Sequence, residues 1–344
     1  MDKVVTRRRA IGIFAAAGGL PLLLSATAAR PSRSTIVWNG QALGAPAKLI
    51  LNDDDAKRAE RLIETIVVEV ARLEKVFSLY RDDSSLVELN RVGGLAAPPP
   101  ELLALLEKCS TFFEATGGLF DPTVQPVWKL YRDHFASTAA GEDGPDKGIL
   151  NARLRRVGFD ALRFGAGRIA FSRPQMAITL NGVAQGFITD RVVDMLRDAG
   201  ITSSLVDMGE ACAIGAQSDG NPWRVGLASG EDSSDPDTVL PIVNRAVATS
   251  SQTGFSFDEA GRFGHILHPR MGVVPRLYRR VSVVAKDAAS ADALSTAFNL
   301  MEANAIRDTL DKFPDVSVDL VDLSGIGQRM GQTLSLEKPH TNGG

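Results

Sequence analysis

The amino-acid sequence predicts an α+β fold built as a single large domain, and three observations carry this reading. Long helical periodicities occupy the first third of the chain; short strand-like segments follow, gathered around one further helix. No stretch has the composition of a domain linker of useful length, and there is chain enough for one large core.

Thr6-Arg7-Arg8-Arg9 precedes an apolar run from Ala10 to Leu24 and an Ala-x-Ala cleavage signal ending at Ala28, which is the pattern of an export signal. Paired arginines beside a Gly- and Ala-rich run fit the twin-arginine type, so residues 1–28 are expected to be removed and the mature part, 29–344, to be periplasmic. That run contains Gly12, Gly18, Gly19 and Pro21 and falls short of the ~20 residues that span a bilayer. No stable membrane span is expected after processing.

Residues 30–45 read as a linker into a first strand. Ala56 to Phe77 places Leu62, Ile66, Val70, Leu73 and Phe77 on one helical face. Pro98-Pro99-Pro100 precedes a second helix, Glu101 to Thr116, which stops at Gly117-Gly118. Ser137 to Gly148 and Gly230 to Asp237 read as exposed loops. Strands are expected at Ile169 to Phe171, Met176 to Leu180, Ser204 to Met208 and Trp223 to Leu227, with a helix from Gln185 to Gly200. Arg280 to Ala285 is a β-branched run typical of a buried strand, and Ser290 is placed to cap the helix that follows.

Composition narrows the chemistry. The chain carries a net charge of −3, and removing the four basic residues and one acidic residue of the leader takes it to −6, so nothing basic points to nucleic acid. Cys109 and Cys212 sit in apolar helical and strand-like patterns and read as two separate buried thiols. Four histidines leave little room for a His-rich zinc site.

The most chemical stretch runs from Lys286 to Phe298. Asp292 and Thr296 stand one helical turn apart, so a carboxylate and a hydroxyl can meet one hard cation at ~2.1 Å. Four other segments accompany it. Ser78 to Asn90 is a polar turn holding Tyr80; Gly117 to Val124 is a tight turn containing Leu119-Phe120-Asp121. Thr179 to Gly186 joins a strand to a helix through two glycines, a turn that lets backbone and a helix N-terminus approach a phosphate. Thr249-Ser250-Ser251 with His265 to Gly272 completes the set.

Together, and in this order, the segments resemble the ApbE family of FAD:protein FMN transferases over almost the whole mature chain. The family shows an aromatic turn like that at Tyr80, a Gly-x-Phe-Asp-Pro-Thr-Val segment, a Gly-rich turn, a His-Ile-Ile-Asp-Pro-Arg-Thr-Gly-like segment and Asp-Ala-Leu-x-Thr-Ala. The resemblance implies an ApbE-like, T-fold-related arrangement of mixed sheets with packed helices. The implied reaction splits the pyrophosphate of FAD with a Thr hydroxyl of a target protein, leaving FMN as a phosphoester and releasing AMP. It places Mg2+ on Asp292, Thr296 and the backbone near Gly182 and Ser295. His265 and Asp292 are the expected catalytic residues, with His265 taking the proton of the attacking hydroxyl. By the same resemblance Tyr80, Leu119, Phe120, Asp121, Thr179, Gln185 and Ile266 line the flavin site.

The export signal and the Asn181-to-Gly186 variant are most similar to the NosX branch, which implies a NosR-like membrane protein as flavin acceptor and a part in nitrous oxide reduction during denitrification. The chain departs from the family pattern at Thr179 and His268, which replace carboxylates, and at Met271, which replaces Thr. These changes keep two alternatives open: an FAD pyrophosphatase, and a non-catalytic periplasmic protein that binds or delivers FAD.

Overall fold

The computed structural model describes residues 11–13, 34–137, 141–227, 236, 238–252, 255–273 and 275–331. The predicted leader lies outside the described residues except for β1 (Ile11–Ile13), a short strand.

The segment read as a linker is part of a hairpin. β2 (Ser34–Ala42) and β3 (Ala45–Asp53) pair antiparallel through a two-residue turn, Leu43-Gly44, with φ of 49° and 77°. Two positive φ values give the turn whose twist matches the strands. Leu43 is held there by its N–H donating to Glu74 Oε1 at 2.7 Å. Glu74 belongs to α1 (Ala56–Phe77), capped by Asp55 and buried along the predicted face.

α2 (Ser85–Val92) is capped by Ser84 and ends at Gly93, whose φ of 83° suits only glycine without strain. β4 (Gly94–Ala96) and α3 (Pro100–Ala115) follow, and α3 stops at Gly117-Gly118 as expected. Two helices that periodicity did not reveal come next, α4 (Gln125–Phe135) and α5 (Lys147–Leu154); α5 takes the end of the predicted 137–148 loop. β5 (Leu162–Gly165) and β6 (Arg168–Phe171) form a small sheet with β4.

Met176 to Leu180 is not a strand. Met176, Ile178 and Leu180 alternate into the core as a strand would, but the backbone of Ile178 is held by the Asn90 side chain and Thr179 N–H donates to the Pro122 carbonyl at 2.8 Å. α6 (Ala184–Asp198), β7 (Ser204–Asp207), β8 (Ala211–Ile214) and β9 (Trp223–Leu227) lie close to their predicted places. The remaining elements are β10 (Thr238–Ile242), β11 (Ala246–Ser250), β12 (Tyr278–Ala285), α7 (Ala288–Phe298), α8 (Ala303–Leu310), β13 (Ser317–Asp322) and β14 (Gly327–Gly331).

Eight strands form one antiparallel sheet in the order β14-β13-β12-β11-β8-β7-β3-β2, and β9 lies between β1 and β10 in another. Strand alternation puts Leu49, Leu51, Val206, Ala248, Val281 and Val283 against the helices. Ile50, Leu205, Val247 and Val284 point the other way, into a second core with Trp223, Val225 and Leu240 of the β9–β10 layer. The middle of the sheet is therefore buried on both faces, which explains the unbroken apolar reading of β12. Cys109 and Cys212 are both free and buried, as expected.

Candidate functional site

β12 delivers the chain to α7. Asp287 starts the helix with extended backbone (φ −127°, ψ 153°), and its carboxylate accepts the Ser290 N–H at 3.0 Å. The cap expected at Ser290 is thus three residues earlier, and the Ser290 hydroxyl donates back to Asp287 at 2.8 Å. Asp190 of α6 accepts the N–H groups of Ala288 at 2.6 Å and Ala289 at 2.9 Å. The first turn of α7 is therefore tied down by two carboxylates on donors that would otherwise lack partners. Burial, with the charge of Asp287 beside it, pushes the Asp190 carboxyl up to about 7.

α6 and α7 meet at Gly186, where a Cβ would fall 2.3 Å from the Ala288 carbonyl oxygen. At this contact Gly186 N–H donates to Asp292 Oδ2 at 3.1 Å, and Asp292 is 4% exposed. One turn along, a Cβ on Gly182 would lie 2.9 Å from Thr296 Oγ1. The i, i+4 pair therefore faces the turn that opens α6, as the spacing predicts.

This donor set fits Mg2+: one carboxylate, one hydroxyl and nearby backbone, all hard oxygens. Among the described residues no group of three or more His, Cys, Asp and Glu is placed to hold a metal. A cation here would complete its shell from water and a phosphate-bearing substrate, which suits Mg2+ better than a full protein cage. Ser295 makes other contacts: its hydroxyl lies 2.7 Å from Ser250 Oγ and donates to the Asp292 carbonyl at 3.0 Å, and its carbonyl accepts from Asn299 Nδ2 at 2.9 Å.

Two loops converge on this turn. Asn90 at the end of α2 clamps Ile178 through a reciprocal pair of 2.8 Å hydrogen bonds, and Thr179 is tied to Pro122. The Gly117–Val124 and Thr179–Gly186 segments are thereby joined. Within the first, the Asp121 carboxylate turns inward, accepting from Thr123 N–H at 2.8 Å, Thr123 Oγ1 at 2.5 Å and Phe159 N–H at 3.3 Å. Burial raises its pKa. The Phe120 ring packs edge-on against Phe112 in the core and is buried. Leu119 is half-buried; Gln185 and Ile266 are buried.

Tyr80 stands out at 62% exposed, on a turn closed beneath it by Ser84 Oγ donating to the Ser78 carbonyl at 2.6 Å. His265 Nδ1 lies 3.0 Å from the Phe255 carbonyl oxygen. A carbonyl only accepts, so Nδ1 carries the hydrogen and Nε2 is the basic nitrogen of the neutral ring. The His265–Gly272 loop is fastened to the Gly117 turn, where Arg270 Nη2 donates to the Gly117 carbonyl.

Thr179 and His268, which stand where the resemblance implies carboxylates, are both engaged in turns. His268 Nδ1 accepts from Arg270 N–H at 3.2 Å and Met271 N–H at 3.3 Å, the task an Asp performs in such a turn. Burial and the charge of Arg270 lower the His268 pKa, which keeps that nitrogen an acceptor. Thr179 Oγ1 likewise accepts from Asn181 N–H at 3.2 Å. The Met271 side chain is exposed, and only its backbone N–H joins the turn. Sequence reasoning missed Asn90 as a clamp, Asp190 as an anchor and Phe255 as the partner of His265. Only Asn90 had a signal, a short amide side chain at a helix end.

A family model described as the ApbE family matches residues 43–319. The FAD:protein FMN transferase of Treponema pallidum is 29% identical over 282 residues, 76% of this chain and 77% of that protein. The protein of the same name from Haemophilus influenzae is 24% identical over 88% of this chain and 89% of its own length. The solved flavin transferase ApbE from Vibrio cholerae superposes with a TM-score of 0.75 at 22% identity, covering 88% of this chain and 98% of that one. The ApbE protein of Thermotoga maritima gives a TM-score of 0.75 at 25% identity, over 86% and 97%.

Proposed function

The chain belongs to the ApbE family, and from that premise we propose that it is an FAD:protein FMN transferase. The acceptor Thr oxygen attacks the FMN phosphorus of FAD; a P–O bond to the acceptor forms, the pyrophosphate P–O bond breaks, and AMP leaves with that electron pair. His265 receives the hydroxyl proton at Nε2, with Nδ1 held by the Phe255 carbonyl. Gly182, Asp292 and Thr296, with Ser295 behind them, would hold Mg2+, which when bound would supply positive charge against the pyrophosphate. Tyr80, the Leu119-Phe120-Asp121 turn, Thr179, Gln185 and Ile266 bound the flavin nucleotide.

The observation that carries this reading is the placement of Asp292 and Thr296 against Gly186 and Gly182 at the opening of α6. A helix start beside a carboxylate and a hydroxyl is a site for a metal-bound pyrophosphate. The leader pattern and the Asn181–Gly186 variant favour a periplasmic protein exported by the twin-arginine route, of NosX type, with a NosR-like acceptor in nitrous oxide reduction. Neutral side chains at Thr179 and His268 favour a second reading, FAD hydrolysis or FAD binding alone.

One experiment separates these. The protein is incubated with FAD, Mg2+ and a NosR-like acceptor domain; covalent flavin is read by in-gel fluorescence and AMP is quantified. Fluorescent acceptor with equimolar AMP is the result expected. AMP without labelled acceptor would indicate a pyrophosphatase, and bound FAD without AMP a binding protein.

A further inference from the structure

A groove of about 810 Å³ lies on the other side of α4 from His265, and none of the residues assigned to flavin or metal lines it. Arg91, Lys129, Arg153, Arg156 and Arg173 line its wall; Arg91 pairs with Glu88, Lys129 with Asp133 and Arg173 with Asp160, which leaves Arg153 and Arg156 as its uncompensated cations. Its acids are Asp133 and Asp146, both committed: Asp133 to Lys129 and Arg132, Asp146 to the Ile149 N–H that it caps at 2.9 Å. Neither Arg153 nor Arg156 has an acidic partner among the described residues. Burial and the charges of Arg153 and Arg155 pull the Arg156 pKa down, as unrelieved repulsion should. Between the cations the lining is apolar: Pro126, Ile149, Phe171 and Met176. In a chain of net negative charge this is an isolated positive groove.

Its position gives it a use. Lys129 faces the groove, while the preceding residue, Trp128, stacks on Phe255 at 6.3 Å between ring centres, and Phe255 touches the His265 ring at 6.2 Å. The groove and the proposed base are thus separated by α4, roughly 10 Å across, and by the Phe255 ring that lies between Trp128 and His265. An extended chain presenting a Thr to His265 needs about six residues or more to span roughly 20 Å around α4, at ~3.3 Å each.

We propose that the acceptor protein docks in this groove through an acidic segment, with interspersed aliphatic side chains, that flanks its modified threonine. The proposal rests on the transferase reading above. Carboxylates meet the cationic wall, and the aliphatic side chains cover the apolar lining. Such contacts act on acceptor recognition and leave FAD binding alone.

The test is the Arg153→Glu/Arg156→Glu double variant of the full chain, assayed at saturating FAD with the NosR-like acceptor domain as the varied substrate. KM for the acceptor should rise about tenfold or more, with kcat and the KM for FAD within about twofold of the parent. Raising NaCl from about 50 to 500 mM should weaken the parent towards the variant. An unchanged acceptor KM overturns the proposal, and so does a parallel rise in the KM for FAD, which would mark a nucleotide site. A second arm does not depend on catalysis. A fluorescein-labelled peptide of Asp, Glu and Leu should bind the parent by anisotropy, and neither the variant nor an Asn/Gln version of the peptide should show binding. If the parent transfers no flavin yet this arm succeeds, the transferase reading fails and the groove stands; equal binding by parent and variant sinks the groove.

Discussion

Two glycines of one segment should respond to the same substitution in different ways. At Gly186 a methyl group would lie 2.3, 2.6 and 2.7 Å from Ala288 O, Ala288 C and Ala289 Cα, all of them backbone. Ordinary contact begins near 3.5 Å, so α6 and α7 must separate by about 1 Å. Overpacking of this kind costs about 1–3 kcal/mol, against which alanine's better helix propensity returns under 1 kcal/mol in a first turn. Gly186→Ala should therefore lower Tm by roughly 1–4 °C, followed by circular dichroism. At Gly182 the nearest atoms are Thr296 Oγ1 at 2.9 Å and Cγ2 at 3.2 Å, the end of a side chain that can rotate. Gly182→Ala should leave Tm within about 2 °C, because a rotamer change costs under 1 kcal/mol. It should raise the Mg2+ concentration for half-maximal AMP release about tenfold, because the hydroxyl has been moved. An unchanged or higher Tm for Gly186→Ala, or matching signatures for the two variants, would refute the reasoning.

Other outcomes follow from the same geometry. The Asp190 carboxyl is raised to about 7 in the folded chain and titrates near 4 when unfolded, so the folded state holds the extra proton between these values. Its contribution is complete below about pH 4 and is lost as pH rises through 7; Asp190→Asn should flatten that decline in urea midpoints measured from pH 4 to 8, and a slope like the parent's would count against the assignment. His265→Gln should slow single-turnover transfer by about 10²–10⁴-fold while FAD affinity by titration changes little; equal losses in both would make the histidine structural. Asn90→Ala removes both hydrogen bonds to Ile178 and should cost about 1–3 kcal/mol in urea denaturation, with a loss under 0.5 kcal/mol contradicting the clamp.

What could be read in the sequence was whatever depended on neighbours along the chain. Asp292 and Thr296 share a helical face because four residues make about one turn, and Gly117-Gly118 ends α3 because left-handed backbone favours glycine. The cap of α7 was misplaced because Asp and Ser serve almost equally well; only the end of β12 at Ala285 decides for Asp287. Met176 to Leu180 had the alternation of a strand, and alternation reports burial without saying what the backbone pairs with. Asn90 lies 88 residues from Ile178, and Asp190 is 98 from Ala288. Nothing local encodes such pairs. The shared face of Asp292 and Thr296 was legible in local spacing, while the distant contacts that support it were not.

Along α7 all side chains but Ser290 and Thr296 are buried. A helix on a protein surface keeps one side where substitutions drift freely, and its lineage records that side as variation every three or four residues. α7 has no such side. Small residues let it sit between α6 and the sheet, so neighbours on all sides fix the aim of Asp292 and Thr296 together. Any retuning of the aim of Asp292 and Thr296 would therefore have to come from the loops that approach α7, such as those holding Thr179 and His268.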